Sequence, residues 1–238
     1  MFDPAKISAV LLDIEGTTTP ISFVVDVLFP YASRNVEAFL KAHHLEPGIQ
    51  RTLQTLRTQF EIDGWDDTNS PDEVASLAAY ARHLMSQDSK FPALKSLQGE
   101  IWQDGYKSGE LRGQVFDDVP VALRRWREQG KLVFIYSSGS VLAQKLIFGH
   151  TNHGDLTPLL DGYFDTAVGV KSDPPSYRHI ASEIKTDAAK ILFISDATRE
   201  LEAARSAGMH VMLSSRPGNP PAPTRDFESI RSFDELSF

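Results

Sequence analysis

The chain has 238 residues, 41% of them hydrophobic and 24% charged, which is ordinary for a folded protein with one large core or a core and a smaller domain. Its net charge of −8 argues against a general role in binding nucleic acid, because phosphate backbones require basic surfaces. It contains no cysteine, which excludes disulfides, thiolate catalysis and cysteine-ligated zinc. Without a signal-peptide pattern or an apolar run of membrane-spanning length, we expect a soluble cytoplasmic protein with no membrane partner.

Four short apolar runs have the composition of strands that are buried on both faces of a parallel sheet. Apolar and polar residues do not alternate along them. The four runs are AVLLD (9–13), KLVFIYSSG (131–139), AKILFISDA (189–197) and MHVMLSS (209–215). Helical patterns separate the later runs, and this alternation predicts an α/β fold with a doubly wound, mostly parallel sheet. The proline-rich tail, residues 215–238, is expected to run over the surface.

Residues 20–115 show helical spacing and no convincing strand. We therefore predict a helical cap domain, residues 21–115, inserted after the first strand of a catalytic core formed by residues 1–20 and 116–238. The acidic stretch at residues 61–73 is predicted to be a solvated loop between two of the cap helices.

Polar side chains follow three of the predicted strands. Asp13 and Glu15 follow the first strand, Ser137 and Ser138 the second, and Asp196 the third. Ligands of open parallel sheets bind beyond the carboxyl ends of the strands, so we expect these side chains to meet at one edge of the sheet. The two-residue spacing of Asp13 and Glu15 gives the two carboxylates similar facing along an extended chain.

These residue types suit phosphoryl chemistry. Asp13 and Asp196 can share a hard divalent cation, and Ser137 with the backbone amides after it can bind phosphate oxygens. Lys171, in a loop before a predicted helix, can neutralise a phosphate and a nucleophilic aspartate. Each of these residues alone is more often a helix cap, a turn or a surface charge, and it is their joint order along the chain that favours a site.

The same residues make the chain resemble the haloacid dehalogenase superfamily. The first motif of that superfamily is a strand that ends in Asp-x-Asp-x-Thr, which stands here as DIEGT (13–17). Ser137, Lys171 and the acid pair Asp196 and Glu200 match the second, third and fourth motifs in the right order. The resemblance spans most of the chain and implies a Mg²⁺-dependent site in which Asp13 is the nucleophile.

One residue of the first motif departs from the superfamily pattern and points to a particular family within it. Glu15 stands where most phosphatases of the superfamily have Asp. The runs DIEGTTTPISFV, YSSGSVLAQKLIFGH and SRPGN are similar to the enolase-phosphatase, or acireductone synthase, family. That resemblance implies a hydrolase of methionine salvage that converts 5-methylthio-2,3-dioxopentyl 1-phosphate into an acireductone and inorganic phosphate.

The resemblance also implies roles for the individual residues. Asp13 and Asp196 are expected to bind one Mg²⁺ per subunit through their carboxylates. Glu15 is expected to be the general acid or base, with its main chain near the metal. Ser137 and Ser138 are expected to bind the substrate phosphate, which Lys171 pairs with. Three further residues are expected to support the site from behind, namely Gly16, Thr17 and Glu200.

Several alternatives stay open on the sequence. A haloacid dehalogenase shares Asp13, Ser137 and Lys171 but needs neither a metal nor an acid at position 15. A Mg²⁺-dependent phosphatase of another small metabolite fits the same motifs, whereas a phospho-receiver module is about half this length and has no cap. The group that performs the enolisation and the cap residues that contact the substrate are both undetermined. No coiled-coil pattern is visible, so we expect a monomer.

Overall fold

The structure is a computed structural model that describes residues 3–66, 70–220 and 227–238. Within that part of the chain, six strands form one sheet, namely β1 Ala9–Leu12, β2 Leu132–Tyr136, β3 Gly162–Phe164, β4 Ile191–Ser195, β5 His210–Ser214 and β6 Ser229–Ile230. Eight α-helices accompany them in the same residues, namely α1 Phe29–His43, α2 Pro47–Ile62, α3 Glu73–Ser86, α4 Pro92–Ser108, α5 Asp118–Glu128, α6 Val141–Gly149, α7 Pro174–Glu183 and α8 Thr198–Ser206.

All neighbouring strands are parallel, in the order β3-β2-β1-β4-β5-β6. The predicted fold class is confirmed, and so are the four predicted strands. Strands β3 and β6 were not predicted, because three and two residues are too few to give an apolar run. The ends of the predicted runs extend past the observed strands, since those residues turn into the loops that form the site.

The first strand lies in the middle of the sheet and is dry along its whole length. All four residues of β1 are buried, and the register sets Leu12 beside Ile135 of β2 and Ile194 of β4. On one face of the sheet, Leu11 belongs to a core cluster with residues of α7 and α8, including Tyr177 and Leu201. The carboxyl ends of β1, β2 and β4 therefore emerge together, at the point where the strand order reverses.

The chain divides into two compact units, Met1–Phe23 with Arg112–Phe238, and Val24–Leu111. The second unit contains α1 to α4 and has a core of its own, built from buried residues of all four helices such as Val36, Leu53, Leu77 and Leu97. The predicted limits of the cap, residues 21–115, stay a prediction. None of the helices in the described residues is both long and apolar enough to cross a membrane.

The tail does not simply run over the surface, and that expectation is wrong for its last part. Strand β6 pairs with β5, and Phe233 is completely buried with its ring centroid 5.2 Å from that of Trp126. Arg125 of α5 donates hydrogen bonds to the carbonyls of Phe233 at 2.7 Å and Leu236 at 3.0 Å. Residues 221–226 of the predicted surface tail, and residues 67–69 of the predicted acidic loop, lie outside the described residues.

Candidate active site

The carboxylate of Asp13 leaves the buried end of β1 and is held on both oxygens. The Lys171 ammonium donates to Oδ1, and the Thr17 hydroxyl donates to Oδ2 at 3.3 Å. The backbone N–H of Asp13 still donates to the carbonyl of Ile194 at 3.0 Å, which continues the ladder to β4. Asp13 is therefore a buried carboxylate with a fixed direction, and Thr17, which was expected to support the site from behind, is one of its hydrogen-bond donors.

A tight loop follows Asp13. The carbonyl of Ile14 accepts the backbone N–H groups of Thr17, Thr18 and Thr19 at 2.9 to 3.1 Å. Gly16 has a φ of +72°, a left-handed conformation that glycine adopts without strain. A Cβ at Gly16 would overlap Oδ2 of Asp196. The turn at Gly16 thus lets the Asp196 carboxylate approach the main chain of this loop.

The loop after β2 offers a polar cradle beside these acids. The buried Ser137 accepts the N–H of Gly139 on Oγ at 3.1 Å, and its hydroxyl lies 3.5 Å from Oε2 of Glu15. Ser138 is exposed, and Ser140 caps α6 by accepting the N–H of Ala143 at 3.3 Å. Backbone amides at the start of a helix favour a bound anion, so this loop suits phosphate.

Lys171 connects the two acid pairs. Its ammonium lies 2.7 Å from Oε2 of Glu200, in addition to its bond to Asp13, and the hydroxyl of Ser195 donates to the same Glu200 oxygen at 2.9 Å. The hydroxyl of Tyr177 donates to the backbone carbonyl of Lys171 at 2.7 Å. Glu200 therefore holds the Lys171 ammonium in place. The resemblance implied only that Glu200 supports the site from behind.

The site carries an excess of negative charge. Burial and the nearby Asp13 raise the pKa of Asp196 to about 7, and the same two causes raise the pKa of Glu15 above its usual range. Burial and Asp13 also raise the pKa of Glu200 to about 7. Burial alone would lower the pKa of Lys171, but the surrounding carboxylates outweigh it and the net shift is upward. One ammonium does not balance four carboxylates, so the arrangement suits a further cation.

The oxygen donors of the site suit a hard divalent cation such as Mg²⁺. Within the described ranges, no three Asp, Glu or His side chains are placed to hold a metal together. Mg²⁺ does not require such a cage, because it binds through one or two carboxylates and fills its other positions with water and substrate phosphate. That the carboxylates of Asp13 and Asp196 would bind this ion, with the main chain of Glu15 near it, stays a prediction.

Sequence reasoning missed a group of residues that approach the site from the end of β5 and the loop after it. The carbonyl of Gly16 accepts hydrogen bonds from the Ser214 hydroxyl at 3.1 Å and from the Asn219 amide at 2.8 Å. Arg216 reaches the carbonyl of Thr17 at 3.0 Å. The motif SRPGN contains two of these three residues, but nothing in its composition shows that they turn back to the first loop.

The fold places a cluster of acids and one lysine at the carboxyl ends of parallel strands. The family model for haloacid dehalogenase-like hydrolases matches residues 7–208. This range includes every residue of the site that the sequence analysis predicted. The chain belongs to the haloacid dehalogenase-like hydrolases.

Individual relatives show which family within the haloacid dehalogenase-like hydrolases the chain is similar to. Enolase-phosphatase E1 of Synechococcus elongatus is 45% identical over 98% of this chain and 99% of its own length. A poplar (Populus trichocarpa) protein named "Probable bifunctional methylthioribulose-1-phosphate dehydratase/enolase-phosphatase E1" is 47% identical over 95% of this chain and 46% of its own. The crystal structure of the UTR4 protein of Saccharomyces cerevisiae has a TM-score of 0.81 at 38% identity, covering 97% of this chain and 100% of that one. Within its class, the chain belongs to the enolase-phosphatase E1 family.

Replacing Gly16 by Ala tests the close approach of Asp196. We expect the Gly16→Ala enzyme to lose more than about 100-fold in kcat, because the new methyl group displaces the Asp196 carboxylate. Hydrolysis of p-nitrophenyl phosphate with Mg²⁺ measures the loss. Gly130→Ala is the matched control, since Gly130 also has a φ of +72° but has no atom within 4 Å of the added Cβ. Equal losses of activity in the two variants would contradict the role of Gly16.

Replacing Glu200 by Gln tests the anchor of Lys171. The neutral amide keeps the shape but removes the charge that faces the ammonium at 2.7 Å, so we expect kcat to fall by about 10- to 100-fold. Steady-state hydrolysis of the same aryl phosphate measures the change. Glu202→Gln, an exposed substitution on the same helix, should leave kcat unchanged. Full activity of the Glu200 variant would show that Lys171 does not need this partner.

Proposed function

We propose that this chain is a Mg²⁺-dependent enolase-phosphatase that converts 5-methylthio-2,3-dioxopentyl 1-phosphate into 1,2-dihydroxy-5-methylthiopent-1-en-3-one and inorganic phosphate. The observation that carries the proposal is the cluster in which the Lys171 ammonium contacts Asp13 and Glu200, beside the polar loop at Ser137. Relatives that are 45% and 47% identical bear the name enolase-phosphatase E1. The net charge of −8 argues against nucleic acid, and a small phosphate ester is the expected substrate.

The name of the poplar relative supports the choice of substrate. That protein joins an enolase-phosphatase to a dehydratase of methylthioribulose 1-phosphate. Loss of water from that sugar phosphate leaves a five-carbon chain with carbonyls at C2 and C3 and phosphate at C1, which is the proposed diketone. The chain then acts directly after the dehydration in methionine salvage.

The phosphatase step follows from the contacts of the site. Ser137, Ser138 and the amides that begin α6 bind the phosphate oxygens, and Lys171 neutralises their charge. Asp13, directed by Lys171 and Thr17, faces the phosphorus atom and attacks it. The bond from phosphorus to the C1 oxygen breaks as that oxygen takes a proton from Glu15, the expected general acid. Water then hydrolyses the acyl phosphate and gives a proton back to Glu15, which returns free Asp13 and inorganic phosphate. When bound, Mg²⁺ supplies positive charge that offsets the developing negative charge on the phosphoryl group.

The enolisation transfers a proton from C1 of the diketone and places one on the oxygen at C2. Glu15 is the proposed base, because its carboxylate stands between the end of β1 and Ser137, where the phosphate is expected. The resulting enol has its new double bond between C2 and C1, the carbon that bears the phosphate. We further propose that the enzyme works as a cytoplasmic monomer with one Mg²⁺ per subunit.

The purified protein and the diketone phosphate test the proposal directly. Under nitrogen and with Mg²⁺, inorganic phosphate and the near-UV absorbance of the enediol product should rise together, and EDTA should stop both. Activity that persists in EDTA would contradict metal dependence and favour a dehalogenase-like site. Hydrolysis of other small phosphate esters, with none of the diketone phosphate, would keep the phosphatase and refute the substrate.

Replacing Asp13 by Asn tests the nucleophile. The amide is nearly the same size but cannot form an acyl phosphate, so we expect phosphate release to fall below detection while the protein stays folded. A phosphate assay with the diketone measures the effect. Asp187→Asn is the matched control, because this exposed residue caps a short helix and Asn caps equally well. Retained turnover in Asp13→Asn would eliminate the proposed role of Asp13.

A further inference from the structure

We infer that Arg216 is a positioning residue, which holds the loop after β1 in the geometry that catalysis needs. Arg216 lies in the loop after β5 and is only 4% exposed. It touches none of the groups that are expected to contact the substrate. The inference rests on the proposed function for its choice of substrate, and its geometry is independent of that choice.

The guanidinium of Arg216 binds the first loop through one nitrogen and the core through another. Nε donates to the carbonyl of Thr17 at 3.0 Å, and Nη1 donates to Oδ2 of Asp118 at 2.6 Å. The guanidinium also contacts two aromatic rings, with Cζ 4.6 Å from the centroid of Phe116 and 4.4 Å from that of Phe233. These contacts fix the guanidinium in position and orientation.

The anchor on the other side is rigid. Asp118 begins α5, and its Oδ2 also accepts the backbone N–H of Phe233 at 2.6 Å and the hydroxyl of Ser232 at 3.1 Å. Phe233 is fully buried against Trp126 of the same helix. Arg216 thus transmits the position of a buried helix and of residues 232–233 to the carbonyl of Thr17.

Thr17 connects Arg216 to Asp13, because its carbonyl binds the guanidinium and its hydroxyl binds the carboxylate. The side chain of the same residue donates to Oδ2 of Asp13 at 3.3 Å, so a shift of the Thr17 backbone moves a donor that directs Asp13. The neighbouring carbonyl of Gly16 is held by Ser214 and Asn219. The N–H of Phe116 donates to the carbonyl of Thr18 at 3.0 Å and is a further tether of this loop. Loss of Arg216 therefore releases the tether at Thr17 and leaves the phosphate cradle at Ser137 in place.

Only arginine meets all of these demands at once. A planar guanidinium can donate from two nitrogens in different directions while it contacts aromatic rings, whereas lysine has only one nitrogen to place. Arg125 of α5 provides a control, because it also binds residues 233–236, through the carbonyls of Phe233 and Leu236, but has no contact with the first loop among its hydrogen bonds. The two arginines separate loop positioning from attachment of the last segment.

Steady-state kinetics of Arg216→Met, Arg216→Lys and Arg125→Met test the inference. With the diketone phosphate and with p-nitrophenyl phosphate, we expect kcat of Arg216→Met to fall by about 10- to 100-fold with KM unchanged, since a small misplacement of the reacting group has that effect. Arg216→Lys should recover part of the loss. Arg125→Met should lose stability with no change in kcat. Equal kcat values for the Arg216→Met and Arg125→Met enzymes would overturn the inference.

Hydrogen exchange of the folded proteins supplies a readout that does not depend on turnover. The peptide that spans residues 13–20 should exchange its amides faster in Arg216→Met than in wild type or in Arg125→Met. Unchanged exchange in this peptide would overturn the inference. If wild type hydrolyses the aryl phosphate but not the diketone phosphate, the proposed function fails and the kinetic comparison on the aryl phosphate still decides the role of Arg216. If wild type hydrolyses neither ester, the exchange comparison decides it.

Discussion

The buried ammonium of Lys171 is the contact on which the rest of the site depends. It joins Asp13 at the end of β1 to Glu200 of α8, and it lies 5.6 Å from the centroid of the Tyr136 ring at the end of β2. A buried carboxylate pair without this charge would be strongly destabilising, because desolvated like charges repel in a medium of low dielectric constant. Lys171 therefore makes it possible to place two acids where three apolar strands end.

The acids need that support because β1 is central in the sheet. A central parallel strand is covered on both faces, so any charge at its end emerges from an apolar environment. The chain meets this constraint with a loop of three threonines whose backbone N–H groups all turn to the carbonyl of Ile14. The loop presents Asp13 to Lys171 and Thr17, while Gly16 leaves room for Asp196. The same few residues thus set the conformation of the loop after β1 and the positions of the carboxylates around it.

Much of this arrangement could be predicted from the sequence, because the informative residues are the ends of strong apolar runs. The four longer strands have continuous hydrophobic character, and Asp13, Ser137 and Asp196 come directly after three of them. Parallel topology then places these ends at one edge, whatever the details of packing. Lys171 follows a strand of only three residues, so its position came from the order of the motifs rather than from a strand signal.

The parts that could not be predicted are those that depend on long-range return of the chain. Arg216 and Asn219 reach residues about two hundred positions earlier, and no local pattern encodes such a contact. The burial of Phe233 is similar, since a single aromatic residue after a proline-rich segment has no periodicity to reveal its partner Trp126. Sequence patterns indicate which side chains will be buried, but they do not indicate which distant backbone group a polar side chain will bind.

The glutamate at position 15 connects the phosphatase site to the second half of the proposed reaction. Its carboxylate oxygen lies 3.5 Å from the hydroxyl of Ser137, across from β1 to the end of β2. An aspartate at this position would be one methylene shorter. If the Ser137 loop holds the phosphate, the carbon that bears the phosphate lies beside it, and this is the carbon that loses a proton during enolisation. In the proposed reaction, the longer acid would bring a base to C1, while Asp13, at the end of the same strand, would attack phosphorus.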